Sequence, residues 1–135
     1  MQEQENRWCE KNHCCPADEA MRIQHHAADK GFDWTDVHGV LEKVEEEVAE
    51  IYEAVRDGDT RHAQEELGDL LFAAFNVARF LHANPLDCLY HATKRFTQRF
   101  ECMEALVNQE GNSLESCSAE SLDAYWERVK KLMPQ

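Results

Sequence analysis

A nearly continuous apolar run over residues 67–81 most constrains how this chain can fold. Only four residues interrupt the run: Gly68, Asp69, Asn76 and Arg79. On a helix, the apolar side chains of such a run face almost every direction, so the helix must be buried on most sides. A chain of 135 residues supplies one modest core. The run therefore predicts a helix inside a bundle, with Asp69 lying among apolar neighbours.

The rest of the sequence also favours helices. Apolar residues recur mostly at helical spacing, and only five glycines and three prolines interrupt them. This pattern predicts an all-α protein with a tail over residues 1–15 and one domain over residues 16–135. Helices are predicted in a short segment after Pro16 and over residues 36–56, 61–81, 85–109 and 119–133. The expected N-caps are Asp59 or Thr60, Asn84 and Ser118.

Charge and apolar content argue against several classes of partner. The formal net charge is −13 at pH 7, whereas nucleic acids and anionic membranes are bound by basic patches. No stretch of about 18 apolar residues predicts a transmembrane helix, and the polar start of the chain lacks a signal-peptide core. Six cysteines without an export signal are expected to be reduced thiols in the cytoplasm. One N-terminal cluster has a spacing that fits no usual zinc pattern: Cys9, His13, Cys14 and Cys15.

Two pairs of carboxylates stand out on the predicted helices. Glu47 and Glu50 lie three residues apart at one margin of an apolar arc, on the same strip as Lys43. Glu66 and Asp69 repeat this spacing on the next helix. Because two helices joined by a short turn pack antiparallel, the four acids can converge inside a bundle. Such a set of oxygen ligands suits a hard divalent cation.

Basic residues on the same helices and on later ones leave two interpretations open. They can form ordinary ion pairs with the four acids; the candidates are Lys43, Arg79, Arg95 and Arg99. Alternatively, Arg95, Arg99 and Lys130 bind phosphate oxygens, while Trp126 offers a flat surface to a nucleobase. The plain reading of this second set is solvated cations beside a core tryptophan.

The order of these stretches resembles the MazG family of nucleoside triphosphate pyrophosphohydrolases. The family's hallmark is E-x-x-E followed, after a spacer, by E-x-x-D, and the matching residues are Glu47, Glu50, Glu66 and Asp69. The resemblance extends over about residues 20–133 through the stretches GFDWTDVHGVLEKVEEEVAEIYEA, EELGDLLFAAFNVARFL, ATKRFTQRF and YWERVKK. The chain most resembles the C-terminal of the two catalytic-type domains in full-length MazG proteins.

The resemblance implies an all-α fold in which helices from two subunits complete a four-helix bundle. It implies hydrolysis of a deoxy- or ribonucleoside triphosphate to the monophosphate and pyrophosphate, by attack of a metal-activated water on the α-phosphorus. The implied ion is Mg²⁺, with Mn²⁺ as an alternative, and the implied role is housecleaning of the cytoplasmic nucleotide pool. A homo-oligomer, a dimer or a tetramer, is expected on separate grounds, because so apolar a helix leaves a wide apolar face on a short chain.

Carried over by position, the resemblance also assigns roles to single residues. The metal ligands are Glu47, Glu50, Glu66 and Asp69. Glu47 is the expected general base in preference to Glu46, which points further toward solvent. The expected substrate-binding residues are Arg95, Arg99 and Lys130 for phosphates, Trp126 for the nucleotide, Asn76 for the sugar or as support for a residue that contacts the substrate, and Lys43. Arg95 stands where the resemblance implies a lysine.

Two other classes of function remain open at this point. A non-catalytic helical interaction module would keep the same acids ion-paired or solvated. A di-iron or di-manganese carboxylate protein commonly carries Glu-x-x-His pairs. Neither acid pair here has a histidine at that position, although His62 lies one turn before Glu66.

Overall fold

The computed structural model describes residues 15–134, and these residues form five α-helices, one short 3₁₀ turn and no strand. The helices are α1 (Pro16–Asp29), α2 (Val37–Arg56), α3 (Thr60–Phe80), α4 (Pro85–Gln109) and α5 (Ala119–Leu132), with the 3₁₀ turn at Leu114–Ser116. The prediction of an all-α protein is confirmed. The N-terminal cysteine and histidine cluster lies outside the described residues, apart from Cys15. Between residues 15 and 134, no helix combines the length and apolarity needed to cross a bilayer.

Side-chain caps explain where the helices begin. Asp59 accepts a hydrogen bond from the backbone N–H of His62, and Ser118 accepts one from Ser121. Asn84 does the same for Leu86 at the start of α4. These three predicted caps are confirmed. The sequence predicted that this helix begins at Asp36. In the structure, Asp36 precedes α2 and caps it by accepting hydrogen bonds from the backbone N–H groups of His38 and Gly39.

The described chain divides into two compact units, one ending at Leu86 and the other beginning at Asp87. In the first unit, α2 and α3 pack along each other and are joined by a tight turn in which Gly58 has a φ of 73°. A positive φ is readily adopted by glycine, which has no Cβ. Helix α1 packs against α3, and Gln24 donates a hydrogen bond to the carbonyl oxygen of Phe72 at 2.8 Å.

The core of the first unit is small, because its buried apolar side chains are mostly short: Val40, Ala54, Ala73 and Ala78. In the second unit, α4 and α5 enclose a separate core of four buried residues: Met103, Val107, Tyr125 and Val129. Trp126 and Phe100 are partly buried against this second core.

Helix α3 is less enclosed in the single chain than the apolar run predicts. Leu67, Leu71 and Phe72 are 49%, 57% and 43% exposed, and Asp69 is exposed instead of lying among apolar neighbours. The physical reason is that only α1 and α2 cover α3 within its unit, and two neighbours cannot surround a helix that is apolar nearly all round.

Candidate metal centre

Helices α2 and α3 bring the predicted acids together in the first unit. Glu47, Glu66 and Asp69 each place a carboxylate oxygen within 4.8 Å of the other two. Glu50 and Glu66 form a second group of the same size with His62. Glu66 belongs to both groups, so all four predicted acids lie in one connected cluster that spans the two helices.

Glu47 is the buried member of the cluster, with only 4% of its surface exposed. Its Oε1 atom lies 2.8 Å from Nζ of Lys43. Its Oε2 atom is buried and, when Glu66 is ionised, has no hydrogen-bond donor within the described chain. A buried carboxylate oxygen without a donor or a cation costs free energy. The donor set therefore fits a hard divalent cation, which prefers carboxylate oxygens.

Helices α2 and α3 place the carboxylates of Glu47 and Glu66 close enough for each to change the pKa of the other. A hydrogen bond from Lys43 is the main cause that lowers the pKa of Glu47, and a hydrogen bond that protonated Glu66 can give acts in the same direction. The pKa of Glu66 is raised, first because of this hydrogen bond with Glu47 and then because of burial and nearby negative charge. Two carboxylates in this relation can share either a proton or a metal ion.

His62 also belongs to this cluster, although its place in the sequence predicted no role in the site. Its Nε2 atom lies 3.5 Å from Oε1 of Glu66, and its Nδ1 atom lies 3.9 Å from Oε2 of Glu65. Glu65 and Glu66 follow His62 by three and four residues, so the three side chains lie on one side of α3. The signal available in the sequence was the four-residue spacing of His62 and Glu66.

The ion-pair interpretation made Arg79 a candidate partner for the four acids, but Arg79 pairs with a different carboxylate. Its guanidinium donates to both carboxylate oxygens of Asp33, at 2.8 Å and 2.6 Å. It also donates to Oδ1 of Asn76, which is 4% exposed. Among the cations suggested for ion pairs, Lys43 pairs with Glu47 and also lies 3.4 Å from Glu46.

A cavity of about 240 Å³ lies beside the side chain of Arg79. Three aromatic side chains line it: Phe32, Trp34 and Phe72. Gln24, Asn76 and Arg79 add polar groups to the wall. Phe72 and Asn76 follow Asp69 by three and seven residues on α3, or about 4.5 Å and 10 Å along the helix axis. An aromatic cavity of this composition suits a flat, polar-edged ring.

The remaining predicted substrate residues lie in the second unit. Arg95 is exposed, and Arg99 donates a long hydrogen bond of 3.4 Å to the carbonyl oxygen of Met133. Nζ of Lys130 lies 2.8 Å from Oε1 of Glu127. The ring of Trp126 is tilted against that of Phe96, with 5.4 Å between their centroids. Its half-buried position beside the second core matches the plain reading of a packing residue.

Comparison with known proteins identifies the family. Residues 35–99 match the family described as MazG nucleotide pyrophosphohydrolase domain. The Thermotoga maritima protein named nucleoside triphosphate pyrophosphohydrolase/pyrophosphatase MazG is 48% identical over 111 residues, which are 82% of this chain and 42% of that protein. The Escherichia coli K12 nucleoside triphosphate pyrophosphohydrolase is 36% identical over 114 residues, 83% of this chain and 43% of that protein.

A weaker similarity joins the chain to the uncharacterized protein YabN of Bacillus subtilis, which is 38% identical over 66 residues, 49% of this chain and 14% of that protein. The chain spans about two fifths of the length of the Thermotoga and Escherichia relatives. The match at residues 35–99 contains all four clustered acids, Arg95 and Arg99. Through this domain, the chain belongs to the MazG family.

Proposed function

We propose that the chain hydrolyses nucleoside triphosphates to nucleoside monophosphates and pyrophosphate, with a divalent cation held by Glu47, Glu50, Glu66 and Asp69. The observation that carries the proposal is the unpartnered, buried Oε2 of Glu47 beside two further acids. The relatives' names supply the reaction class. Mg²⁺ is the proposed ion, because the four acids offer only hard oxygen ligands.

The cation would supply positive charge against the phosphate oxygens and lower the pKa of water. The chain's own contribution begins with Glu47. Lys43 holds the pKa of Glu47 below its ordinary value, so this acid is ionised at neutral pH, and it is the proposed acceptor of a proton from the attacking water. The water oxygen then bonds to the α-phosphorus and pyrophosphate leaves. Glu46 suits this role less well, because 62% of its side chain is exposed.

Nucleotide-binding residues are proposed separately in each of the two units. In the first unit, Lys43 is a cation already beside the acids, and Asn76 lines the aromatic cavity in which we place the base and sugar. In the second unit, Arg95, Arg99 and Lys130 are the proposed phosphate contacts and Trp126 the proposed nucleotide contact. The family match through residue 99 supports the two arginines.

The wider setting is part of the same proposal. Residues 16–135 would act as one MazG-type domain after an N-terminal tail. The exposed apolar side chains of α3 favour a homo-oligomer, a dimer or a tetramer, because single chains rarely expose such a face. We place the enzyme in the cytoplasm, where removal of unwanted nucleotides would be its role.

The test is product analysis on a panel of canonical and damaged nucleotides, deoxy and ribo, with and without Mg²⁺. We expect monophosphate plus pyrophosphate only when the metal is present. Glu50→Ala and Asp69→Ala should each lower pyrophosphate release to background while circular dichroism stays unchanged. Glu45→Ala is the matched control, because Glu45 is an exposed acid of α2 outside the cluster, and it should retain wild-type turnover.

Three outcomes would count against the proposal in different ways. Wild-type turnover in Glu50→Ala or Asp69→Ala would remove the assigned cation site. Diphosphate plus orthophosphate as products would overturn attack at the α-phosphorus. No turnover of any nucleotide with any divalent ion would favour the non-catalytic interaction module.

A further inference from the structure

We propose that Gln24 and Asn76 select the base of the nucleotide in the aromatic cavity, and that they favour keto bases, which carry a carbonyl oxygen beside a ring N–H. Guanine, uracil and thymine are keto bases. The inference rests on the proposed function, because it takes the substrate to be a nucleotide whose phosphates lie at the acid cluster. The aromatic walls of the cavity are Phe32, Trp34 and Phe72. Stacking on aromatic rings tolerates any base, so selection among bases must come from the polar groups of the wall.

The hydrogen-bond partner of Gln24 determines which end of its amide is the oxygen. Gln24 is 5% exposed, and its Nε2 donates to the backbone carbonyl oxygen of Phe72 at 2.8 Å. A carbonyl oxygen can only accept, so the atom that faces it must be the NH₂ group. The other end of the amide is therefore the acceptor Oε1. This atom accepts no hydrogen bond within residues 15–134 and is not sealed from solvent, so it can accept one from a ligand.

The amide of Asn76 is oriented in the opposite sense. Its Oδ1 accepts from Nε and Nη2 of Arg79 at 3.2 Å and 3.0 Å, and a guanidinium can only donate. Arg79 is itself held by two hydrogen bonds to Asp33, so the amide is fixed before a ligand binds. The other end of Asn76, which is 4% exposed, is the donor Nδ2. The cavity wall therefore presents an acceptor from Gln24 and a donor from Asn76.

The order of these two groups along α3 determines which base edge they match. Asn76 follows Asp69 of the acid cluster by seven residues, which is two turns along the same face. The amide of Gln24 meets α3 at Phe72, between them. A nucleotide whose phosphates lie at the acids therefore reaches the acceptor first and the donor last. The exocyclic group at C4 of a pyrimidine or C6 of a purine lies far from the sugar, so it meets Asn76.

Keto bases fit this order, whereas the amino bases cytosine and adenine do not. The C4 or C6 carbonyl of a keto base accepts from Nδ2 of Asn76, and the neighbouring ring N–H donates to Oε1 of Gln24. In an amino base, the exocyclic NH₂ would face the donor and the ring nitrogen would face the acceptor. Two nearly buried protein groups would then be unpaired, which weakens binding. Asn76 thus contacts the base and not the sugar.

The test compares two pairs of nucleotides that differ only at this edge: UTP with CTP, and ITP with ATP, in the ribo and the deoxy series. We expect the wild type to have a kcat/KM at least about tenfold higher for UTP and ITP. Asn76→Asp keeps the oxygen that accepts from Arg79 and replaces the donor by an acceptor, so it should reverse the preference. Gln24→Met removes the acceptor at similar volume and should reduce the preference. Impaired folding would lower the turnover of all nucleotides and leave the ratios unchanged.

Two control variants make the same replacements elsewhere. Gln64→Met and Asn108→Asp change exposed residues that do not line the aromatic cavity. Both should keep the wild-type ratios within each pair.

Binding of UMP and CMP with Mg²⁺, measured by titration calorimetry, separates this inference from the proposed function. Turnover with equal kcat/KM within both pairs, or ratios that Asn76→Asp leaves unchanged, would overturn base selection and leave the proposed function standing. Tighter binding of UMP than of CMP, reversed in Asn76→Asp, in a protein that hydrolyses no nucleotide would keep base selection and remove the function. Neither binding nor turnover would overturn both.

Discussion

At Glu47, the two oxygens of one carboxylate have different environments. Oε1 accepts from Lys43, whereas Oε2 is buried without a donor. A structural ion pair would be expected to satisfy both oxygens, since a buried acceptor left unpaired costs about 1–3 kcal/mol. Glu46, on the exposed side of the same helix, differs from Glu47. Its side chain is solvated, so its charge costs little free energy. The unsatisfied atom is therefore the observation that supports the proposed cation.

Asp33 and Arg79 form a long-range ion pair in the first unit, and we expect Asp33→Asn to destabilise the fold. The arginine side chain is only 15% exposed, and the bidentate contact joins the loop before α2 to α3. Loss of one charge-assisted hydrogen bond should lower the free energy of unfolding by about 1–2 kcal/mol at pH 7. The measurement is urea unfolding followed by circular dichroism.

The same substitution predicts a pH dependence. Hydrogen bonding from Arg79 is the main cause that holds the pKa of Asp33 below its ordinary value. An acid with a lowered pKa stabilises the fold above its unfolded pKa, about 3.9 for aspartate, and loses that contribution as pH falls through the folded value. The difference between wild type and Asp33→Asn should therefore shrink below about pH 4. A constant difference from pH 7 to pH 3, or an equal effect in the exposed control Asp29→Asn, would contradict it.

Local sequence signals predicted where the helices begin, but they did not predict which residues pair across the fold. The caps Asp59, Asn84 and Ser118 act within three residues, so the starts of three helices could be read from short segments. Arg79 and Asp33 are 46 residues apart, and no periodic pattern links them. The two acid pairs were visible because helical spacing encodes them. The exposure of Asp69 could not be predicted from the sequence, because it depends on how many neighbouring helices cover α3.

The start of α2 offers a prediction about helix packing. A Cβ added to Gly39 would lie 2.8 Å from Cδ1 of Trp34. Glycine to alanine within a helix normally stabilises by up to about 1 kcal/mol. Here the indole must move, and overpacking of this kind costs about 1–3 kcal/mol. We expect Gly39→Ala to lower the free energy of unfolding and to alter tryptophan fluorescence, since Trp34 also lines the aromatic cavity.

A double-mutant comparison isolates the cause of that effect. In a Trp34→Ala background the clash is absent, so Gly39→Ala should become stabilising by up to about 1 kcal/mol. Urea unfolding of the four proteins measures both effects. If Gly39→Ala stabilises the protein equally in both backgrounds, the contact with Trp34 does not limit this position.

For the whole molecule, the apolar surface is the main unexplained feature of a single chain. Leu67 and Leu71, one turn apart on the same helix, expose 49% and 57% of their surface, although the chain carries a net charge of −13. Charge keeps a protein soluble, but it does not remove the free energy of apolar surface in water, about 25 cal/mol per Å². A face of this kind on α3 is best accounted for by a second copy of the chain.

We therefore expect the protein to have at least twice the chain mass of 15.7 kDa in light scattering. Leu71→Asp should shift it toward the monomer mass, because a buried, unpaired charge at an interface is costly, while a side chain that is 57% exposed in the single chain adds little to the folding of each copy. Leu71→Met is the matched control, since it keeps the apolar volume and should keep the oligomer. A monomeric wild type, or an oligomer that survives Leu71→Asp unchanged, would show that this face is not where copies of the chain meet.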